Sequence, residues 1–235
     1  MSQELDRQSD GYVALYDVAK SYQRSDGIVY ALRGISLRIG KGELVGLQGP
    51  SGSGKSTLLN ILGGLDRPTS GRVVIEATDI SKLSSDALAL YRRDKVGFVF
   101  QDARLILALT VYENVMLPLV PLPLSDAEKG ERVERVLEEC NIAHRAKHLP
   151  GELSGGEQQR AAVARAIVND PDLVLADEPT GELDPENAER IIEMLVGMTQ
   201  QGRTVIMASH DVSALAAVPR IVRLREGEVQ EGDET

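Results

Sequence analysis

The sequence is short of the features that would commit it to several classes of protein. It has no tryptophan, two phenylalanines and six tyrosines, so no aromatic platform for stacking nucleic-acid bases is visible. A single cysteine, Cys140, excludes an internal disulfide and suits a reducing compartment. No run reaches the ~18 apolar residues of a membrane-spanning helix. The opening residues, MSQELDRQSDGY, lack the basic start and apolar stretch of a secretory signal. There is no lysine- or arginine-rich block, and the net charge of −10 disfavours a nucleic-acid partner. A cytoplasmic protein is expected. At 235 residues, 42% hydrophobic and 26% charged, the chain suffices for one sizeable core or two closely joined lobes.

What is present is regularly ordered. Residues 11–48 read as short strands, with IVYALRGISLRI alternating and ELVGLQ forming a compact apolar run. A helical STLLNILGGL, a turn at RPTSG and a strand at RVVIEA follow. From Ser84 to Glu139 the pattern is mostly helical, interrupted by the strand-like VGFVFQ and by LPLVPLPL, a rigid connector. The last third alternates helix GEQQRAAVARAIV, strand LVLAD, helix ENAERIIEMLVGMTQ, strand TVIMAS, helix VSALAAV and strand IVRLRE. Such alternation predicts an α/β fold, a mainly parallel sheet with helices on its faces.

Three short stretches carry chemistry. GPSGSGKST, residues 49–57, lies between a strand and a helix and matches a phosphate-binding loop in full. The glycines Gly49, Gly52 and Gly54 let backbone N–H groups curl around phosphates, with Pro50, Ser51 and Ser53 completing the loop and Thr57 closing the motif. Lys55 would reach the β- and γ-phosphates, and the Ser56 hydroxyl would hold Mg²⁺. DLVLADEP is a buried strand ending in Asp177 and Glu178, where open α/β sheets bind ligands. Asp177 can hold Mg²⁺ through water, and Glu178 can deprotonate an attacking water. The bland alternative is a strand turning polar as it leaves the core at Pro179. In LSGGEQQR, Ser154 and Glu157 fit a capping box, whereas Gly155 and Gly156 cost about 1 kcal/mol each inside a helix. Those two glycines fit a helix start that a phosphate from elsewhere must approach.

With these stretches assembled, nearly the whole chain resembles the ATP-binding subunits of ABC transporters. The order matches that family: phosphate loop at 49–57, Gln101 after GFVF, LSGGEQ at 153–158, LVLADE at 173–178, GELD at 181–184 and His210 in ASHD. The resemblance implies a P-loop NTPase fold spanning residues 1–235. Its RecA-like core with an antiparallel β subdomain takes in residues 1–85 and 161–235, and an inserted α-helical subdomain takes in about 86–160. It implies ATP and Mg²⁺ as ligands, a head-to-tail homodimer enclosing two ATP, and separate integral membrane permease subunits. The chain would sit peripherally at the cytoplasmic face of the membrane.

The resemblance also assigns roles residue by residue. Tyr22 would stack on adenine, the alternative being an ordinary half-buried strand-end tyrosine. Gln101 would touch Mg²⁺ or the attacking water and sense the membrane partner. Glu178 would be the general base and His210 a γ-phosphate contact. Ser154, Gly155, Gly156 and Glu157 would bind the nucleotide held on the other subunit, and Asp184 would communicate across the dimer.

LLNILGGLDRPTSG, GFVFQ, ENVMLPL and DEPTGELD resemble the branch of lipoprotein-releasing and macrolide-export ATPases, with a cell-division ATPase nearby. Two departures stand out: DARLILAL replaces that branch's usual continuation after Gln101, and Glu182 stands where asparagine is usual. The branch points to export or lipid extraction, with an ATP-driven regulatory switch as the alternative. A soluble DNA-repair or translation ATPase would usually carry paired units, coiled coils or zinc modules, none of which is visible. His144 and His148 stand four apart without a completing ligand, and Cys140 reads as a buried filler.

Overall fold

Two sheets divide the strands of the chain. The computed structural model describes residues 11–25 and 27–230. Strands β1 (Val13–Arg24), β2 (Gly27–Ile39), β4 (Ser70–Ile75) and β5 (Thr78–Asp79) form an antiparallel sheet in the order β2-β1-β4-β5. A second sheet contains β3 (Leu44–Gln48), β6 (Val96–Phe100), β7 (Leu173–Asp177), β8 (Thr204–Ser209), β9 (Arg220–Arg225) and β10 (Glu228–Val229). Its order is β10-β9-β3-β8-β7-β6, parallel except for the terminal β9–β10 hairpin.

The parallel strands are short continuous apolar runs because both of their faces are covered. Successive residues point to opposite faces, so each strand feeds two cores. Leu173, Leu175, Ile206 and Ala208 join β1, β2 and helix α1 (Lys55–Leu62) on one side. Val174, Ala176, Val205 and Met207 join the helices on the other: α3 (Val111–Met116), α4 (Asp126–Glu139), α5 (Gly155–Ile167) and α6 (Pro185–Gln200). Cys140 is buried among these apolar side chains, and desolvation raises its thiol far above the ordinary range.

Two expectations need correction. Residues 86–100 do not belong to the helical lobe. Helix α2 (Ser85–Lys95) packs Leu88 into the core beside α1, and Tyr91 Oη donates to Leu62 O at 2.8 Å. Strand β6 then pairs with β7 along its whole length, as the edge of the parallel sheet. The helical excursion therefore begins at Gln101. Second, VSALAAV forms a run of turns over 212–217 instead of a helix. Its backbone bonds are of the tight i to i+3 kind, Leu215 N to Val212 O and Ala216 N to Ser213 O at 3.2 Å each. Pro219 disfavours helical backbone at Val218.

Candidate functional site

Register brings the chemistry to one edge. Along the parallel sheet, Gln48 pairs with Ser209, Ala208 with Asp177, and Asp177 with Phe100. Four adjacent strands therefore end level. The residues that follow them are the phosphate loop after β3, His210 after β8, Glu178 after β7 and Gln101 after β6. These are the C-terminal ends of parallel strands, where α/β sheets receive ligands.

The phosphate loop turns from β3 into α1 through Gly54, whose φ of 106° is left-handed. A Cβ there would come within 2.6 Å of Ala31 O, so only glycine fits. Lys55 is 6% exposed and folds back over the loop, donating to Gly49 O at 2.7 Å and Pro50 O at 3.2 Å. Its Nζ also stands 3.6 Å from Glu178 Oε1. Ser56 Oγ donates to Asp177 Oδ1 at 3.0 Å. Burial, reinforced by the neighbouring Glu178, lifts the Asp177 carboxyl above its ordinary range against the Ser56 hydroxyl and Lys55. A divalent cation at that hydroxyl–carboxylate pair would relieve the cost, and hard oxygen donors suit Mg²⁺.

Glu178 takes a φ of 48°, a conformation that costs a non-glycine residue about 1–3 kcal/mol. Its N–H still donates to Ala208 O at 2.9 Å, so the turn stays fastened to β8. His210 Nδ1 lies 2.9 Å from Glu178 Oε2, and the His210 backbone N–H donates to the same oxygen at 3.3 Å. Gln101 Nε2 donates to Glu182 Oε1 at 3.3 Å, so the unusual acid holds the Gln101 amide. Tyr22, Ser51–Thr57, Gln101, Glu178 and His210 border an open cavity of about 520 Å³.

The start of α5 is built differently. Ser154 Oγ accepts from Glu157 N at 3.3 Å, and Glu157 Oε2 accepts from Ser154 N at 2.8 Å, completing a capping box. The Ser154 N–H and Arg145, whose Nε donates to Glu157 Oε1 at 2.7 Å, depress the Glu157 carboxyl to about 2. The two glycines separate here. A Cβ on Gly156 would lie 2.3 Å from Asn187 Oδ1, whereas on Gly155 it would meet only Leu183 Cδ2, at 3.7 Å. Asn187 is gripped from both sides: its Nδ2 donates to Asp184 Oδ2 at 2.6 Å, and Arg160 Nη1 donates to its Oδ1 at 3.2 Å. Gly156 thus also answers to packing within the chain, a constraint that Gly155 does not share. Asp184 caps α6 by accepting from Asn187 N at 3.0 Å. Among the described residues, none of Ser154, Gly155, Gly156 and Glu157 borders the phosphate-loop cavity.

Residues 32–181 match the family model described as ABC transporter. The chain belongs to the ABC transporter family. This ABC ATPase is 44% identical to the uncharacterized ABC transporter ATP-binding protein MJ0796 of Methanocaldococcus jannaschii, over 93% of this chain and 95% of that one. It is equally 44% identical to the macrolide export ATP-binding/permease protein MacB of Hyphomonas neptunium, over 92% of this chain but 34% of the relative. A dimeric, post-hydrolysis structure of the cassette MJ0796 bound to ADP and Pi superposes with a TM-score of 0.88 at 43% identity, covering 95% and 98% of the two chains. The chain is an ATP-binding subunit of this type that hydrolyses ATP, and its kind forms dimers and works with membrane partners. Among the described residues no helix is long and apolar enough to cross a membrane.

Some groups that hold the ABC site together escape a reading by motif. Gln159 Nε2 donates to Phe100 O at 2.9 Å, and Arg165 donates to Ala103 O and Arg104 O at 2.6 Å each. Both sit on α5 and brace the loop after Gln101, whose Ala103 and Arg104 adopt φ of 53° and 47°. The available signal was polar residues interleaved in an apolar helix, with Gln159 2% exposed.

Proposed function

We propose that this chain is the motor of a transporter and works as a head-to-tail homodimer that closes around two ATP molecules. It lies at the cytoplasmic face of a membrane and drives separate integral permease subunits, for export or for extraction of lipid or lipoprotein. One observation carries the reading: Lys55, Ser56, Glu178 and His210 border one cavity, with Asp177 hydrogen-bonded to Ser56, while the capped start of α5 stands apart with Gly155 exposed. A helix start that is open to an anion but remote from its own phosphate loop finds its phosphate on a second copy.

In that dimer the backbone of residues 49–57 cradles the phosphates and Lys55 spans the β- and γ-groups. Tyr22 stacks on the base. Ser56, Asp177 and Gln101 hold Mg²⁺, which supplies charge neutralisation at the phosphates. Glu178 takes the proton of the attacking water, Gln101 orients that water, and His210 contacts the γ-phosphate and steadies the Glu178 carboxylate it already touches. Ser154, Gly155, Gly156 and Glu157 present the α5 terminus to the partner's ATP, and Asp184 relays across the interface. Macrolide-export relatives that carry ATP-binding and permease parts in one chain support a transporter over a regulatory switch in a membrane complex.

Replacing Glu178 with Gln keeps the side chain's shape and removes the base. ATPase activity should fall by about 10²-fold or more, and light scattering should find a stable dimer in ATP but not in ADP. Hydrolysis at the parent rate would strike Glu178 from the mechanism, and a chain monomeric in ATP would strike out the paired site.

A further inference from the structure

Tyr22 is not left to find its own orientation. Its hydroxyl donates to Asp66 Oδ2 at 2.7 Å, and its ring lies over the Lys20 ammonium, with Nζ 4.7 Å from the centroid. Lys20 in turn donates to Asp66 Oδ1 at 2.5 Å and to Arg67 O at 2.8 Å. Asp66 therefore holds both groups that orient the ring, one through each carboxylate oxygen. The carboxylate is itself fixed, because Arg67 N donates to Oδ1 at 2.7 Å. Burial works against its charge, yet Lys20 and Tyr22 keep its carboxyl below the usual range. The antiparallel sheet has its own backbone pairings, of β1 with β2 and with β4.

The arrangement has a ligand-facing consequence. Tyr22 is 36% exposed and borders the phosphate-loop cavity. One face of its ring is taken by a cation, which leaves the other as the stacking face. A ring fixed before binding spares a ligand the entropy of ordering it.

We propose that Asp66 is a positioning residue for base recognition, anchoring Tyr22 and Lys20 as a preorganised platform for the base of the bound nucleotide. This deepens the reading of Tyr22 as the base contact and rests on it. Asp66 is not among the residues bordering the phosphate-loop cavity, so on this proposal it acts through Tyr22 and Lys20.

The test compares ATP with inorganic tripolyphosphate, which carries the phosphates without a base, by calorimetric titration of the full chain with Mg²⁺. Tyr22→Leu should weaken ATP by about tenfold and leave tripolyphosphate unchanged. Asp66→Asn keeps the shape and can still accept from the Arg67 N–H. It should weaken ATP by about fivefold, again sparing tripolyphosphate, and add nothing in the Tyr22→Leu background. Tyr22→Phe, which removes only the hydroxyl, should lose about twofold for ATP. If Tyr22→Leu lowers ATP affinity while Asp66→Asn and Tyr22→Phe do not, the platform stands and Asp66 has no part in it. If Tyr22→Leu binds ATP like the parent, the base reading fails and takes this inference with it. Equal losses for ATP and tripolyphosphate in Asp66→Asn would make Asp66 a support of the phosphate loop and overturn the proposal.

Discussion

At the end of the parallel sheet, ammonium, hydroxyl, carboxylates and imidazole meet within a single chain, and each is already held by another. At the start of α5 backbone N–H donors and a serine are presented, and the neighbouring carboxylate is spent on the cap and on Arg145. The first region has cations, acids and a cavity; the second has an exposed glycine and an ordered helix terminus. On the proposed reading these are two unlike halves of one site, each completed by a second copy of the chain.

That contrast can be broken at its weakest point. Gly155→Asp puts a carboxylate on the exposed helix start and should abolish the ATP-dependent dimer, lowering ATPase activity by about 10²-fold. Binding of ATP by the separate subunit, measured by calorimetry, should not change, because the phosphate loop is untouched. A variant that still dimerises and hydrolyses normally would leave Gly155 with a capping role only.

The next largest effect separates the adjacent glycines. Gly156→Ala drives a methyl against Asn187, which Asp184 and Arg160 hold in place, and should cost about 1–3 kcal/mol in urea unfolding. Gly155→Ala meets nothing nearer than 3.7 Å and should stabilise the isolated chain by up to about 1 kcal/mol. Equal effects at the two positions would erase the distinction between packing and ligand access.

The smallest effect concerns the cap. Glu157 is depressed to about 2 in the folded chain from an ordinary value near 4.5. Its contribution to stability is therefore complete above pH 4.5 and is lost as pH falls toward 2. Across that window Glu157→Gln should lose less stability than the parent, in unfolding curves taken at successive pH values. Parallel curves would mean that the carboxylate charge does not matter to the cap.

The phosphate loop, the paired acids and the capping box were legible because each is local: its residues are neighbours in sequence, and a strand or helix beside them fixes their geometry. Partnerships across the fold were not. The reason for Gly156 lies on the following helix at Asn187, and the restraint on Tyr22 lies beyond α1 at Asp66. VGFVF was readable as a strand, but an apolar run does not announce which sheet it will join, so the helical lobe was begun too early. VSALAAV has helical composition, and the proline that follows it disfavours helical backbone at its end.

The level ending of the four parallel strands has a consequence for how such a chain can change over generations. Each strand delivers one group to a common edge and also divides its side chains between two cores, so its length acts as a ruler. Exchanging one buried aliphatic for another in β7 alters one contact. Deleting a single residue would withdraw Asp177 and Glu178 from the edge by about 3.3 Å and swap the faces of the residues before them. Variation in these segments is therefore tolerated in chemistry and forbidden in number, and inserted sequence has room only in the loops that lead away from the edge.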